Sequence, residues 1–205
     1  MTLSRPRYNT PFLCSIFTTS FSHAEQVVGW YTNKRAELKA TYNRVVPSLA
    51  FVHAPIKYAE NLGNMRKNNR AVSPGIDYSI GDYQGDTCVS QNCRQAATLF
   101  QSALSETSDL LAVFSGHNHR KDWCMRWPGK KTSVCFGRRT GYGGYYKGDA
   151  RGARKIRLFE KDLEKRGIDT WIRLEDGNIS GSITLNETFG LDNYPPAPNQ
   201  DWGQT

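Results

Sequence analysis

The sequence predicts a layered α/β domain that finishes in antiparallel strands, on three observations. Two short apolar runs, 45–52 and 109–114, are almost free of polar interruptions, the pattern of strands covered on both faces. A helical rhythm precedes each of them, at 23–42 and 92–106. Two β-rich runs, 170–174 and 179–185, flank Asp176-Gly177, a strong hairpin signal. At 205 residues the chain is long enough for one domain with a sizeable core.

The elements follow in order. Residues 1–22 show no clear element. Arg5 and Arg7 precede the apolar stretch Phe12 to Phe17, and Ser22-His23-Ala24 supplies small residues, the layout of a weak secretory leader. Over 23–42, Val27, Trp30, Tyr31 and Leu38 fall on one helical face, with most of the charged residues elsewhere. Pro47 suits the start of the strand at 45–52 rather than its centre. From 57 to 89 the pattern dissolves into Gly, Asn, Asp and Ser, which predicts a long excursion loop. Cys93, Ala96, Ala97, Phe100, Ala103 and Leu104 keep helical spacing after a candidate N-cap at Ser90. Val134 to Phe136 and Lys155 to Phe159 are strand fragments separated by a Gly/Tyr/Arg-rich loop. The domain is expected over 23–190, with 191–205 as a proline-containing tail and no opening β-α-β unit.

The bulk properties narrow the classes. A mean hydropathy of −0.61 with 38% hydrophobic residues fits a soluble globular chain and argues against a disordered one. No apolar run reaches membrane-spanning length, so no membrane partner is expected. Lys and Arg outnumber Asp and Glu by 27 to 19, a balance of +8 that favours anionic partners. Of five cysteines, Cys88 and Cys93 lie close together, as do Cys124 and Cys135, and Cys14 is left over. None has C-x-x-C spacing, so two local disulfides in an oxidising compartment compete with buried reduced thiols. Asn178-Ile179-Ser180 and Asn186-Glu187-Thr188 match the N-glycosylation pattern, which leans toward a secretory or extracellular location over a cytoplasmic one.

Three of the four histidines follow apolar runs directly: His53 after Val52, and His117 and His119 in Ser115-Gly116-His117-Asn118-His119. Open α/β folds bind ligands beyond the carboxyl ends of their strands, and imidazole is the commonest ligand for a transition metal. If the two strands are neighbours, the three imidazoles converge on one sheet edge as candidate metal ligands. Asp122, three residues later, is placed either to orient an imidazole or to cap a turn.

Gly116-His117-Asn118-His119 resembles the closing G-H-x-H motif of the calcineurin-like metallophosphoesterases, and His53 resembles the isolated strand-ending histidine before it. The stretches 26–38, 47–55, 122–145 and 171–177 are similar to a purple-acid-phosphatase-like, single-domain subgroup, so the likeness spans about 20–185. The resemblance implies a four-layer α/β/β/α sandwich and a dinuclear site of Fe, Zn, Mn or Mg hydrolysing a phosphate ester. It assigns His53 and His117 to the second metal and His119 to the first, with Asp122 and Asn118 behind them and Arg138 or Tyr142 near the phosphorylated substrate. The family's D-x-H, G-D-x-x-D and G-N-H-[DE] motifs are not found upstream of 23–42. Gly81-Asp82 runs on into Tyr83-Gln84-Gly85, and Gly63-Asn64 into Met65, so neither supplies them.

The chain is therefore expected to be the C-terminal half of such a sandwich, inactive alone and prone to associate through exposed sheet. The competing reading is a non-catalytic basic module binding nucleic acid or another anion, with arginines and tyrosines of 138–157 on the ligand.

Overall fold

The computed structural model describes residues 13–17, 24–66, 70–77, 91–142, 150–163, 165 and 167–197. A five-stranded sheet and a three-stranded sheet share one core. The first contains β1 (Leu13–Phe17), β2 (Ser48–Val52), β3 (Leu110–Ser115), β4 (Cys124–Arg126) and β5 (Ser133–Phe136), in spatial order β1-β2-β3-β5-β4. All are parallel except β4, which runs antiparallel to β5. The second is the antiparallel meander β6 (Gly152–Leu158), β7 (Ile168–Leu174) and β8 (Ile179–Leu185).

Alternation along the central strands explains their apolar sequences. Ala50, Leu110, Val113, Val134 and Phe136 face a helical layer containing Tyr31, Phe100 and Leu104. These last come from α1 (Ala24–Tyr42) and α3 (Gln91–Ser105). Leu49, Leu111, Phe114 and Cys135 face the other way, onto Ile168, Ile183 and Leu185 of the meander. Phe51 and Phe114 stack there with centroids 5.3 Å apart. Burying both faces satisfies a strand that is apolar at nearly every position. The described layers are thus helix, sheet and sheet, a partial α/β sandwich.

Three expectations change. The chain opens on a β-α-β unit, because Leu13–Phe17 pairs in parallel with β2 and α1 is the crossover between them. That strand is the stretch with leader-like layout. The excursion loop contains α2 (Ala59–Arg66), whose buried positions Ala59, Leu62, Gly63 and Arg66 are spaced i, i+3, i+4, i+7. On α1, Tyr31 is buried while Trp30 is 46% exposed, so the two do not share an inward face. The Ser90 N-cap and the Cys88–Cys93 pairing fall outside the residues whose side chains are described.

Cys124 and Cys135 sit directly opposite on β4 and β5 and form a disulfide, fully buried between the sheets. The segment Lys121-Asp122-Trp123, just before β4, is held by a buried charge network. Asp122 Oδ1 accepts the Ile76 N–H at 2.6 Å, and Oδ2 accepts Arg138 Nη1 at 2.8 Å. Arg154 donates to the Asp122 carbonyl and, through Nε, to Phe136 O at 2.8 Å. Lys121 Nζ pairs with Asp77 at 2.5 Å, and Trp123 Nε1 donates to the same carboxylate at 3.1 Å. Gly75, at φ +139°, lets the chain pass this point: a Cβ there would lie 2.7 Å from Asp122 Oδ1 and 2.8 Å from Trp123 Cα.

Candidate functional site

The parallel register aligns three strand ends. Val52 pairs with Ser115, and Ser115 with Phe136, so the chain leaves the sheet at one level toward His53, Gly116 and Gly137. Backbone bonds tie these exits together. The Gly116 N–H donates to His53 O at 3.1 Å, Gly137 N–H to Ser115 O at 2.8 Å, and Arg139 N–H to His119 O at 3.1 Å. This is the edge where an open α/β sheet presents its loops to a ligand.

His117 carries the turn itself, in the left-handed region at φ +61°. An ordinary side chain avoids that region, and Gly116 does not occupy it; a Cβ at 116 would meet His53 only at ordinary contact, 3.7 Å or more. The conformation directs the His117 ring at His53. His117 Nδ1 and His53 Nε2 are 3.2 Å apart, with the rings edge-on at 76°. His53 and His119 are exposed, and His117 is half-buried.

Burial, then the charges His53 and His119 would carry, hold the His117 imidazole below its usual 6.5. The unfolded chain therefore binds this proton more readily than the folded one. The stability linked to His117 is complete above about pH 6.5 and is lost as the pH falls through its depressed folded value. A His117→Gln chain is expected to show a flatter dependence of melting temperature on pH between neutral and mildly acidic buffer. Parallel pH profiles for both chains would refute this.

The donor set decides what could be bound. Two nitrogens each about 2.05 Å from a tetrahedral ion are about 3.3 Å apart, close to the 3.2 Å found between His53 and His117. That separation is the one two neighbouring ligands of a Zn²⁺-like ion would have, and it is equally that of a hydrogen bond between the two rings. A dinuclear centre does not fit the described residues. Among them, no three His, Cys, Asp or Glu side chains group as a metal site, and no carboxylate stands between the histidines to bridge two ions.

The other expected residues lie as follows. Asp122 is buried and spends both carboxylate oxygens on Ile76 and Arg138. Burial pushes its carboxyl up, and Arg138, the Ile76 N–H, Arg154 and Arg66 pull it back. Arg138 is itself buried, at φ +64°, with Nε on Ala150 O at 2.9 Å. Tyr142 is 78% exposed, its hydroxyl on Glu175 Oε2 at 3.1 Å and Arg151 over its ring. Asn118 is buried in the histidine turn, its N–H on Gly116 O at 2.6 Å and its Nδ2 without a partner. Arg154 and Arg66 complete the Asp122 network and escape sequence reading because nothing local marks them.

No family model matches the chain. It is 37% identical over 110 residues to the probable inactive purple acid phosphatase 14 of Arabidopsis thaliana, covering 45% of this chain and 26% of that protein. It is 29% identical over 167 residues to the probable inactive purple acid phosphatase 29 of the same plant, covering 74% of this chain and 38% of that one. Protein SIA1 of Kluyveromyces lactis is 34% identical over 80 residues, covering 36% of this chain and 13% of that protein. The chain thus spans well under half the length of each relative. Together with the strand-ending histidines and the two stacked sheets, these similarities support a relation to the calcineurin-like phosphoesterase superfamily.

Proposed function

We propose that this chain is a phosphoesterase-like domain that retains a two-histidine hold on one divalent ion and that, among its described residues, brings no further ligands for phosphate-ester hydrolysis to that pair. The observation that carries the reading is the 3.2 Å approach of His53 Nε2 and His117 Nδ1 on loops leaving adjacent parallel strands. A bound ion would supply Lewis acidity toward a phosphoryl oxygen. The chain's own part is to hold the two imidazoles aimed at one another. The lowered His117 pKa favours the lone-pair form at neutral pH, and the backbone bonds from Gly116 to His53 and from Arg139 to His119 fix the turn. Phosphorylated molecules are the proposed ligands, given the excess of Lys and Arg over Asp and Glu. The relatives named inactive purple acid phosphatases support the family and, by that name, the absence of turnover.

Against the nucleic-acid reading stands the burial of Arg138 and Arg139; of the other cations in that segment, Arg151 pairs with Glu175 and Arg157 with Asp169, while Arg154 is half-buried and Lys155 exposed. Residues 143–149 of that loop lie outside the described part of the chain.

Zinc titration by calorimetry at pH 7.5 tests the proposal. About one ion per chain is expected, with at least a tenfold loss of affinity in His53→Ala and in His117→Ala and a smaller loss in His119→Ala. Affinity should fall on acidification as the imidazoles protonate. No hydrolysis of a phenyl phosphate ester should accompany binding. Two tight ions with turnover would overturn the claim of an incomplete centre; unchanged affinity in both alanine variants would overturn the site.

A further inference from the structure

We propose that Asn186 is an N-glycosylation site of this protein and that Asn178, which matches the same Asn-x-Ser/Thr pattern, is not. By sequence the two are equivalent. The fold separates them.

Asn186 follows the last residue of β8, in the surface turn 186–191. Its Oδ1 accepts the backbone N–H groups of Thr188 at 3.0 Å and Phe189 at 2.9 Å, and Thr188 Oγ1 lies 3.0 Å away. The single Thr188 hydroxyl proton is shared with Asp192 Oδ2 at 2.7 Å. All these contacts fall on the oxygen. Among the described residues nothing accepts from Nδ2, and that atom is not among the fully buried polar atoms left unpartnered. The next two residues, Glu187 and Thr188, are exposed. Beside Asn186 a shallow depression of about 280 Å³ is walled by Thr184, Asp169 and the Phe159 ring. Phe159 is 42% exposed, with Arg157 and Lys161 over its ring.

Asn178, which is exposed where Asn186 is half-buried, differs in the partner of its amide nitrogen and in the setting of its hydroxyl residue. Its Nδ2 donates to Asp176 Oδ2 at 2.9 Å, while its N–H donates to Oδ1 of the same carboxylate at 2.8 Å, which closes the β7–β8 turn. The hydroxyl residue of its sequon, Ser180, is 1% exposed and already within β8, paired with Ile172. A saccharide at Asn178 would have to be accommodated on a nitrogen already held against Asp176, and once β8 has formed Ser180 is out of reach of a transferase.

The buried Cys124–Cys135 disulfide independently places folding in an oxidising compartment, where this modification occurs. In the transfer, Asn186 Nδ2 bonds to the anomeric carbon of a lipid-diphosphate-linked oligosaccharide. The bond from that carbon to the diphosphate oxygen breaks, the diphosphate leaves with the electron pair, and Nδ2 loses one proton.

The full chain behind a heterologous cleavable leader, secreted from yeast, tests this. Enzymatic deglycosylation in heavy-oxygen water converts each occupied Asn to labelled Asp, so the unaltered chain reports its own sites by peptide mass. Label is expected at Asn186 and not at Asn178. Asn186→Gln and Thr188→Ala should each abolish the endoglycosidase-sensitive gel shift, and Asn178→Gln should leave it. Label at Asn178, at both residues or at neither overturns the proposal.

Discussion

Asp122→Ala is expected to cost about 3–5 kcal/mol of unfolding free energy, because it strands buried guanidinium charge. The carboxylate is 1% exposed, and the Arg138 side chain that pairs with it is 2% exposed. Arg154 lies half-buried beside it, its own pKa pulled down to about 10 by desolvation against the support of Asp122. Removing the acid also leaves the Ile76 N–H without its acceptor. Domains of this size are stable by about 5–15 kcal/mol in total, and each kcal/mol shifts the midpoint by about 2–4 °C. The melting temperature should therefore fall by about 6–20 °C, read by circular dichroism. Asp122→Asn keeps an acceptor for Ile76 and should cost less. Equal losses in the two variants would show that the lost charge, and not the Ile76 acceptor, carries the whole effect.

Breaking the Cys124–Cys135 link is the second large effect. The bond closes a loop across an 11-residue separation, for which loop-closure entropy in the unfolded chain gives about 3 kcal/mol. Both sulfurs are also fully buried against Leu111, Phe114 and Ile168, so the paired Cys124→Ala, Cys135→Ala chain loses packing as well. Denaturant midpoints of the oxidised and double-alanine chains should differ by that amount or more. Reductant added to the native protein should act slowly, since the bond has no exposure to solvent. Rapid reduction without unfolding would contradict its buried position.

Much of this architecture is legible in the sequence, and the failures have physical causes. The central strands 48–52 and 110–115 and the hairpin around Asp176-Gly177 stand out because covering both faces, or closing a tight turn, restricts residue choice severely. Leu13–Phe17 is obscured by Cys14 and Ser15, and a strand beside the sheet centre on one side only carries a weaker apolar signal. The stripe of α2 is present at 59, 62, 63 and 66, but two of its four positions are Gly63 and Arg66, which no hydrophobicity pattern counts. Arg66 is nevertheless buried, with Nε on Ser73 O at 2.8 Å and its guanidinium over Trp123. The histidines are readable because two of them end apolar strands. That His53 meets His117, while the third imidazole stays exposed on the same turn, depends on the left-handed backbone at 117, which sequence does not announce.

The network around Asp122 also bears on how fast the chain can fold. Its partners lie 46, 16 and 32 residues away, at Ile76, Arg138 and Arg154. None of these contacts forms until distant segments have met, and such long-range closure is entropically slow. The lock should therefore close after the main folding barrier, so that neutralising the acid alters the rate of refolding far less than the rate of unfolding.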